Sequence, residues 1–347
     1  MNSEVRVRHG DLVRTIEDAL AAEGVPTHVG RVEAELMAEA DLLGVPSHGV
    51  RMLPLVVTGL REGRVTADPR MRIVRDHDAV CVLDGDRGLG RYVSVHAMAQ
   101  AVERARQYGV GVCVANRLTH WGRAHAYAYR AAMHGMIGIC TTNAIPNMTG
   151  WGSRQPVVGN NPLAIGVPQD DDDRPIVLDI AMSQAAVGKI GTYLREGKAA
   201  PGGWGLDASG QPTSDPSAIL SSGLVLPMGE HKGAGLALMM EVLTGALAGG
   251  FLSFEVGQVD GSGLDPEGSK FFLALDVSKF VEPDRFVERV AALLQSIGER
   301  VGDDGEFLYP GQRGWETRDR NLVEGVPIHA QIVEQLGKIG VTLPTIE

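Results

Sequence analysis

At 347 residues and a formal net charge of -11, the chain can bury a sizeable core and is too acidic to suggest a nucleic-acid partner, which needs clustered Lys and Arg. Hydrophobic residues at 44% and charged residues at 22% are globular values, and no apolar run approaches the roughly 20 residues that cross a bilayer, so no membrane partner is expected. The first residues carry no apolar signal core, and Cys81, Cys113 and Cys140 lie inside apolar runs, as thiols of a reducing, cytoplasmic compartment would.

Two amphipathic helices open the chain, one with a stripe of Leu12, Ile16, Ala19 and Leu20, the other with Val29, Val32, Leu36 and Leu43. Arg72 to Leu83 reads as a strand, and Val95, Met98, Ala99, Val102 and Ala105 as a helix ending near Gly109. A strand over Val110 to Ala115, a helix over Gly122 to His134 and a strand over Met136 to Thr142 make a strand-helix-strand unit, expected to form a parallel pair with a right-handed crossover. Further strands are predicted over Pro162 to Val167, Ile176 to Ala181 and Phe271 to Val277, with Asp170 to Asp173 as a solvated hairpin turn. Helices follow over Ala234 to Leu247 and Pro283 to Val301.

The sum is a mixed α/β protein. No linker or repeat marks a boundary, so two interleaved parts are expected: residues 1–75 joined by 283–347, and an α/β part over 76–282. Glycine makes up 45 of the 347 residues, well above the usual share, which predicts many tight turns and close backbone approaches.

Two imidazoles stand out, because this side chain titrates near neutrality. Ser47, His48 and Gly49 follow a helix end, so both polar side chains can project into a cleft, while no Gly-x-Ser-x-Gly elbow supports a hydrolase. His120 sits where a strand ends and a helix begins, the edge at which open α/β sheets bind ligands. A structural histidine fits either position as well. His125 and His134 lack the helical pairing of a zinc site, and no metal is expected.

Gly229 to Gly235, with His231 and Lys232, precedes an apolar helix and can cradle an anion, although it is not a Walker sequence. Asn143, Asn160 and Asn161 lie in a Gly- and Pro-rich stretch, available to a ligand or to turn backbone. Asp179 ends an apolar run and needs a hydrogen-bonding partner. The arginines after Tyr309-Pro310-Gly311-Gln312 read as a salt-bridged surface or a phosphate site.

Ser47-His48-Gly49, His120-Trp121-Gly122-Arg123, Thr141-Thr142-Asn143-Ala144, Gly159 to Ile165, Leu178 to Ala181 and His231-Lys232-Gly233, in that order, resemble the malate/L-lactate dehydrogenase family with the sulfolactate-dehydrogenase-like fold. The resemblance implies a non-Rossmann nicotinamide-binding fold, which accounts for the missing glycine fingerprint, with NAD or NADP as cofactor. It also implies a homodimer acting at C2 of a small 2-hydroxy or 2-oxo carboxylic acid, or as an alternative a cyclic 2-imino acid. A noncatalytic dinucleotide-binding protein is the reading from another class.

Carried over by position, His120 matches the proton donor or acceptor, and Ser47 and His48 line the reacting centre. Arg51, Asn143 and Ala144 fall to the substrate, and Asp179, Ile180, Ala181, His231, Lys232 and Gln312 to the cofactor. The family's usual arginine position is Met52 here, so Arg51 beside it, or Arg123 or Arg154, must meet the carboxylate. Glu230 and Asn160 stand where glycine and threonine are usual.

Overall fold

The computed structural model describes residues 4–171, 173–256, 266–301 and 305–346. The elements up to residue 142 are β1 (Glu4–Val7), α1 (His9–Ala22), α2 (Thr27–Leu42), α3 (Leu53–Arg61), β2 (Arg72–His77), β3 (Val80–Gly88), α4 (Gly90–Tyr108), β4 (Val110–Leu118), α5 (His125–Ala132) and β5 (Met136–Thr142). Then come β6 (Leu163–Val167), β7 (Ile176–Ile180), α6 (Val187–Arg195), β8 (Gly205–Leu206), β9 (Pro212–Thr213), α7 (Pro216–Ser222), α8 (His231–Glu241), β10 (Gly268–Asp276), α9 (Pro283–Gly298), α10 (Gln312–Glu324), β11 (Val326–His329) and α11 (Ala330–Lys338). None of the described helices is long and apolar enough to cross a membrane.

A seven-stranded mixed sheet in the order β2-β3-β4-β10-β5-β6-β7 is the frame, with β3 and β4 its parallel pair. Two strand expectations are corrected. Arg72 to Leu83 is a hairpin rather than one strand: His77 pairs with Val80 across a turn in which Asp78 takes φ 47°, a left-handed conformation that Asp tolerates. The strands β4 and β5 are not neighbours either, because β10 lies between them, antiparallel to both, with Phe272 opposite Cys113 and Cys140. Most of β10 is buried, so its apolar run favours the middle of the sheet over an edge. The Asp170–Asp173 turn does join the antiparallel strands β6 and β7, with Asp172 outside the described residues.

One apolar core runs from Leu12, Ile16 and Met37 of the first helices through Val93, Met98 and Leu118 to Tyr127 and Phe272. The chain end returns to its beginning, since β1 pairs antiparallel with β11. All three cysteines are buried and free. The α4 helix stops at Gly109, whose φ of 83° caps it in the left-handed region. The next strand begins at once, and residues 119–122 follow at the C-terminal end of β4.

Candidate active site

Residue 120 is placed by its neighbour. The Trp121 indole is 2% exposed, stacks on Tyr127 at 4.9 Å between centroids and meets Phe272 edge-on at 5.8 Å. The Tyr127 hydroxyl donates to the Trp121 carbonyl. Gly122 then turns back at φ 77°, and a Cβ there would lie 2.8 Å from Nε of Arg91, so glycine is required. That anchor fixes the His120 backbone between a packed indole and a tight turn.

His48 reaches the same place from the other side. A short helical turn over Pro46–His48 follows α2, and beneath it the Asp41 carboxylate accepts the Val50 amide at 2.6 Å. A Cβ on Gly49 would lie 2.1 Å from that carboxylate, so the loop can sit on Asp41 only with glycine there. The buried Arg91 donates to the His48 carbonyl at 3.1 Å. The two imidazoles stack with centroids 5.7 Å apart and planes 23° from parallel.

Both rings line a cavity of about 360 Å³, with Ser47, Arg51, Asn143, Ala144, Asn160 and Lys270 among its other walls. Burial pushes His48 down to about 3, helped by Arg123, Arg91 and Arg51. Burial, with His48, Arg91 and Lys270, holds His120 well below its ordinary value. The Gly122 amide donates to Nδ1 of His120 at 3.1 Å, so the neutral ring carries its proton on Nε2. Oγ of Ser47 lies 2.8 Å from Nδ1 of His48.

Among the cations weighed from sequence, Arg51 lines this cavity, with Nη1 donating to the Ser47 carbonyl at 2.9 Å. Arg123 is instead engaged with Asp179 at 3.3 Å, which together with the His125 amide supplies the partner Asp179 needed. Arg154 lies in a separate groove. Lys270, 3% exposed and on the cavity wall, was missed from sequence; a lysine inside the apolar run around Phe271 was the available signal.

The side chain of Asn143 is not free for a ligand. Its Oδ1 accepts the Ser269 amide at 3.0 Å, while Nδ2 donates to the Phe251 carbonyl at 2.7 Å and to Glu241 at 3.3 Å. Its contribution is therefore to hold the loop that carries Ala144.

A cleft of about 570 Å³ shares Ser47, His48, Gly122, Asn160 and Gly188 with the cavity and continues to Asp179, Ala181, Lys189 and Tyr193. Strand alternation sends Ile180 the other way, into the cluster of Met148, Val158 and Met182. A third groove, of about 760 Å³, holds His231, Glu230, Arg154 and Gln184 at the N-terminus of α8. Glu230 has φ 57°, a backbone conformation that side chains rarely adopt. Lys232 and Gln312 line neither the cavity nor these clefts: Lys232 is exposed, and Gln312 bonds Glu316 within α10.

The residue path from Asp179 to Gln184 runs from the cleft to that groove, which suits an elongated ligand with one end beside the imidazoles. The positive end of the α8 dipole, with His231 and Arg154, suits its anionic middle. The donor set thus fits a nicotinamide dinucleotide.

Residues 7–337 match the family described as Malate/L-lactate dehydrogenase. The chain is 33% identical to malate dehydrogenase of Pyrococcus horikoshii over 344 residues, 96% of this chain and 94% of that one. The solved structure of that enzyme superposes with a TM-score of 0.90, covering 100% of this chain and 98% of the other. A (2R)-3-sulfolactate dehydrogenase (NADP(+)) of Chromohalobacter salexigens is 33% identical over 92% of this chain and 93% of its own length. The delta1-piperideine-2-carboxylate reductase of Pseudomonas syringae is 28% identical, with a TM-score of 0.87 over 96% of this chain and 99% of that one. The stacked imidazoles thus stand in a chain that belongs to the malate/L-lactate dehydrogenase family, an oxidoreductase of small hydroxy and oxo acids that works with NAD(P).

Proposed function

We propose that the cavity between His48 and His120 is where a hydride passes to or from C2 of the acid, with Arg51 and Lys270 receiving its anionic groups. A bound nicotinamide supplies or accepts the hydride. The observation that carries this reading is the imidazole pair itself, stacked inside one cavity with two cations on its wall.

The two rings divide the work. His120 can act as a base, or start as an imidazolium, only with a proton on Nδ1, where the Gly122 amide already points. It therefore serves as a fixed Nε2–H donor to the C2 oxygen, the position at which negative charge grows during reduction. His48 has the freer choice: with Oγ of Ser47 accepting from Nδ1, its Nε2 lone pair takes the hydroxyl proton in oxidation and returns it in reduction. An anionic substrate opposes the three arginines that depress His48 and so raises its basicity on binding.

Turnover followed by reduced-nicotinamide absorbance tests this, on 2-oxo acids, their sulfonated analogues and cyclic 2-imino acids, each with NADH and NADPH. Activity on one of these classes is expected; no absorbance change across the panel with saturating cofactor overturns the reading and favours the noncatalytic alternative.

We also propose a homodimer. Leu236, Leu238 and Met239 on α8 are 40%, 44% and 49% exposed, and α9 carries Leu293 at 60% and has no buried residue, so two apolar faces await cover. Sedimentation at the monomer mass would refute it. Three buried free thiols suit the cytoplasm.

A further inference from the structure

We infer that Glu241, far along α8 from the groove at that helix's N-terminus, is a positioning residue for the reacting centre; this rests on the function proposed above. The carboxylate is 8% exposed and takes hydrogen bonds from four donors: the Ser253 amide at 2.6 Å, Asn143 Nδ2 at 3.3 Å, Asn161 Nδ2 at 3.0 Å and the Ser253 hydroxyl. Buried charge is costly unless it is fully bonded in this way, and a fully bonded one is rigid.

The four donors come from three residues, Asn143 on the cavity wall and Asn161 and Ser253 on stretches that lead to it. Asn143 precedes Ala144, whose amide donates to Oδ1 of Asn161 at 3.0 Å. Asn161, at φ 27°, is held in a conformation that a side chain rarely adopts, next to Asn160 on the cavity wall. Oγ of Ser253 accepts the Gly159 amide at 3.4 Å, three residues before Val256 on that wall. One carboxylate therefore sets where three loops meet, and its helix turns into a π-helical segment over Val242–Ala246 immediately after it.

Glu241 does not itself line the cavity and reaches it only through Asn143, Asn161 and Ser253, so its effect is read through geometry. A shift of about 1 Å at a reacting centre costs on the order of 100-fold in rate. Glu241→Gln turns a bonding oxygen into an N–H2 that faces other donors. The expected result is a fall of about 100-fold in kcat, with cofactor Kd within about threefold of wild type. Ser253→Ala removes the hydroxyl's bond to Glu241 and the long one it accepts from the Gly159 amide, and is expected to lower kcat by about tenfold. A kcat within twofold of wild type in a folded E241Q protein overturns the inference. Should E241Q not fold, an S253A protein with wild-type kcat overturns it instead.

Hydrogen exchange at the Ala144 amide separates this claim from the functional one. Exchange is expected to be slow in wild type and at least about tenfold faster in either variant. If no acid is turned over, the functional reading fails while exchange still decides the positioning claim, and unchanged exchange in both variants defeats it.

Discussion

Arg91 and His48 are joined through the backbone: the guanidinium, 1% exposed, donates from Nη2 to the His48 carbonyl at 3.1 Å, while its Nη1 meets Glu33 at 3.2 Å. Glu33 in turn accepts the Tyr92 amide at 2.8 Å, so the ion pair fixes the start of α4 and the histidine loop together. Arg91→Ala leaves the buried Glu33 without its ion partner and is expected to cost about 3–5 kcal/mol of unfolding free energy, measured by denaturant titration. A loss under about 1 kcal/mol would show that the pair is not what holds the loop.

Arg51 and His120 should fail in different ways. Arg51→Ala is expected to raise KM for the acid by tenfold or more, about the worth of one charge-assisted contact, with cofactor Kd unchanged. Loss of the fixed donor in His120→Ala should lower kcat by about 100-fold or more at unchanged cofactor affinity. Steady-state kinetics beside cofactor fluorescence titration checks both, and an equal loss of turnover and cofactor affinity in either variant contradicts the roles.

His48 gives acid sensitivity. Its folded pKa is lowered to about 3, chiefly by burial, from an ordinary 6.5. Below 6.5 the unfolded chain takes a proton that the folded chain refuses, so this residue's contribution to stability falls as pH drops from 6.5 towards 3. His48→Asn should flatten that part of the pH–stability curve; parallel wild-type and variant curves would be evidence against it.

Asp41 works in the opposite direction. Burial raises its pKa from 3.8 to about 7, against the Val50 amide and the charges of Arg91 and Arg51. Between those values the folded chain keeps a proton that the unfolded chain has lost, so stability declines as pH rises from 3.8 to about 7. Asp41→Asn lacks this slope, and its stability relative to wild type should rise across the window in thermal melts at successive pH values. A constant difference would place the titration elsewhere.

Motifs with short-range causes were legible in the sequence. Gly49 and Gly122 each stand where a side chain would strike a neighbour, and the Ser47-His48 and His120 runs marked the two walls of the cavity. Gln312 and Lys232, placed by their order along the chain, line neither the cavity nor the two clefts described above. Asn143 was found for the right loop, but its amide proved to be spent on Ser269, Phe251 and Glu241. Lys270, Arg91 and Glu241 escaped notice because each meets its partners across long stretches of chain.

The sequence by itself determined six of the eleven described helices, the segments of the seven-stranded sheet, the two imidazoles and the family, since these follow from local periodicity, turn chemistry and ordered short runs, while α3, α6, α7, α10, α11 and the short strands β1, β8, β9 and β11 went unread. Tertiary structure alone decided that β10 separates β4 from β5 and that Arg51 and Lys270 rather than Arg123 share the imidazoles' cavity. Strand order and hydrogen-bond partners depend on which distant segments meet, and hydrophobic pattern specifies that a segment be buried without naming its neighbour.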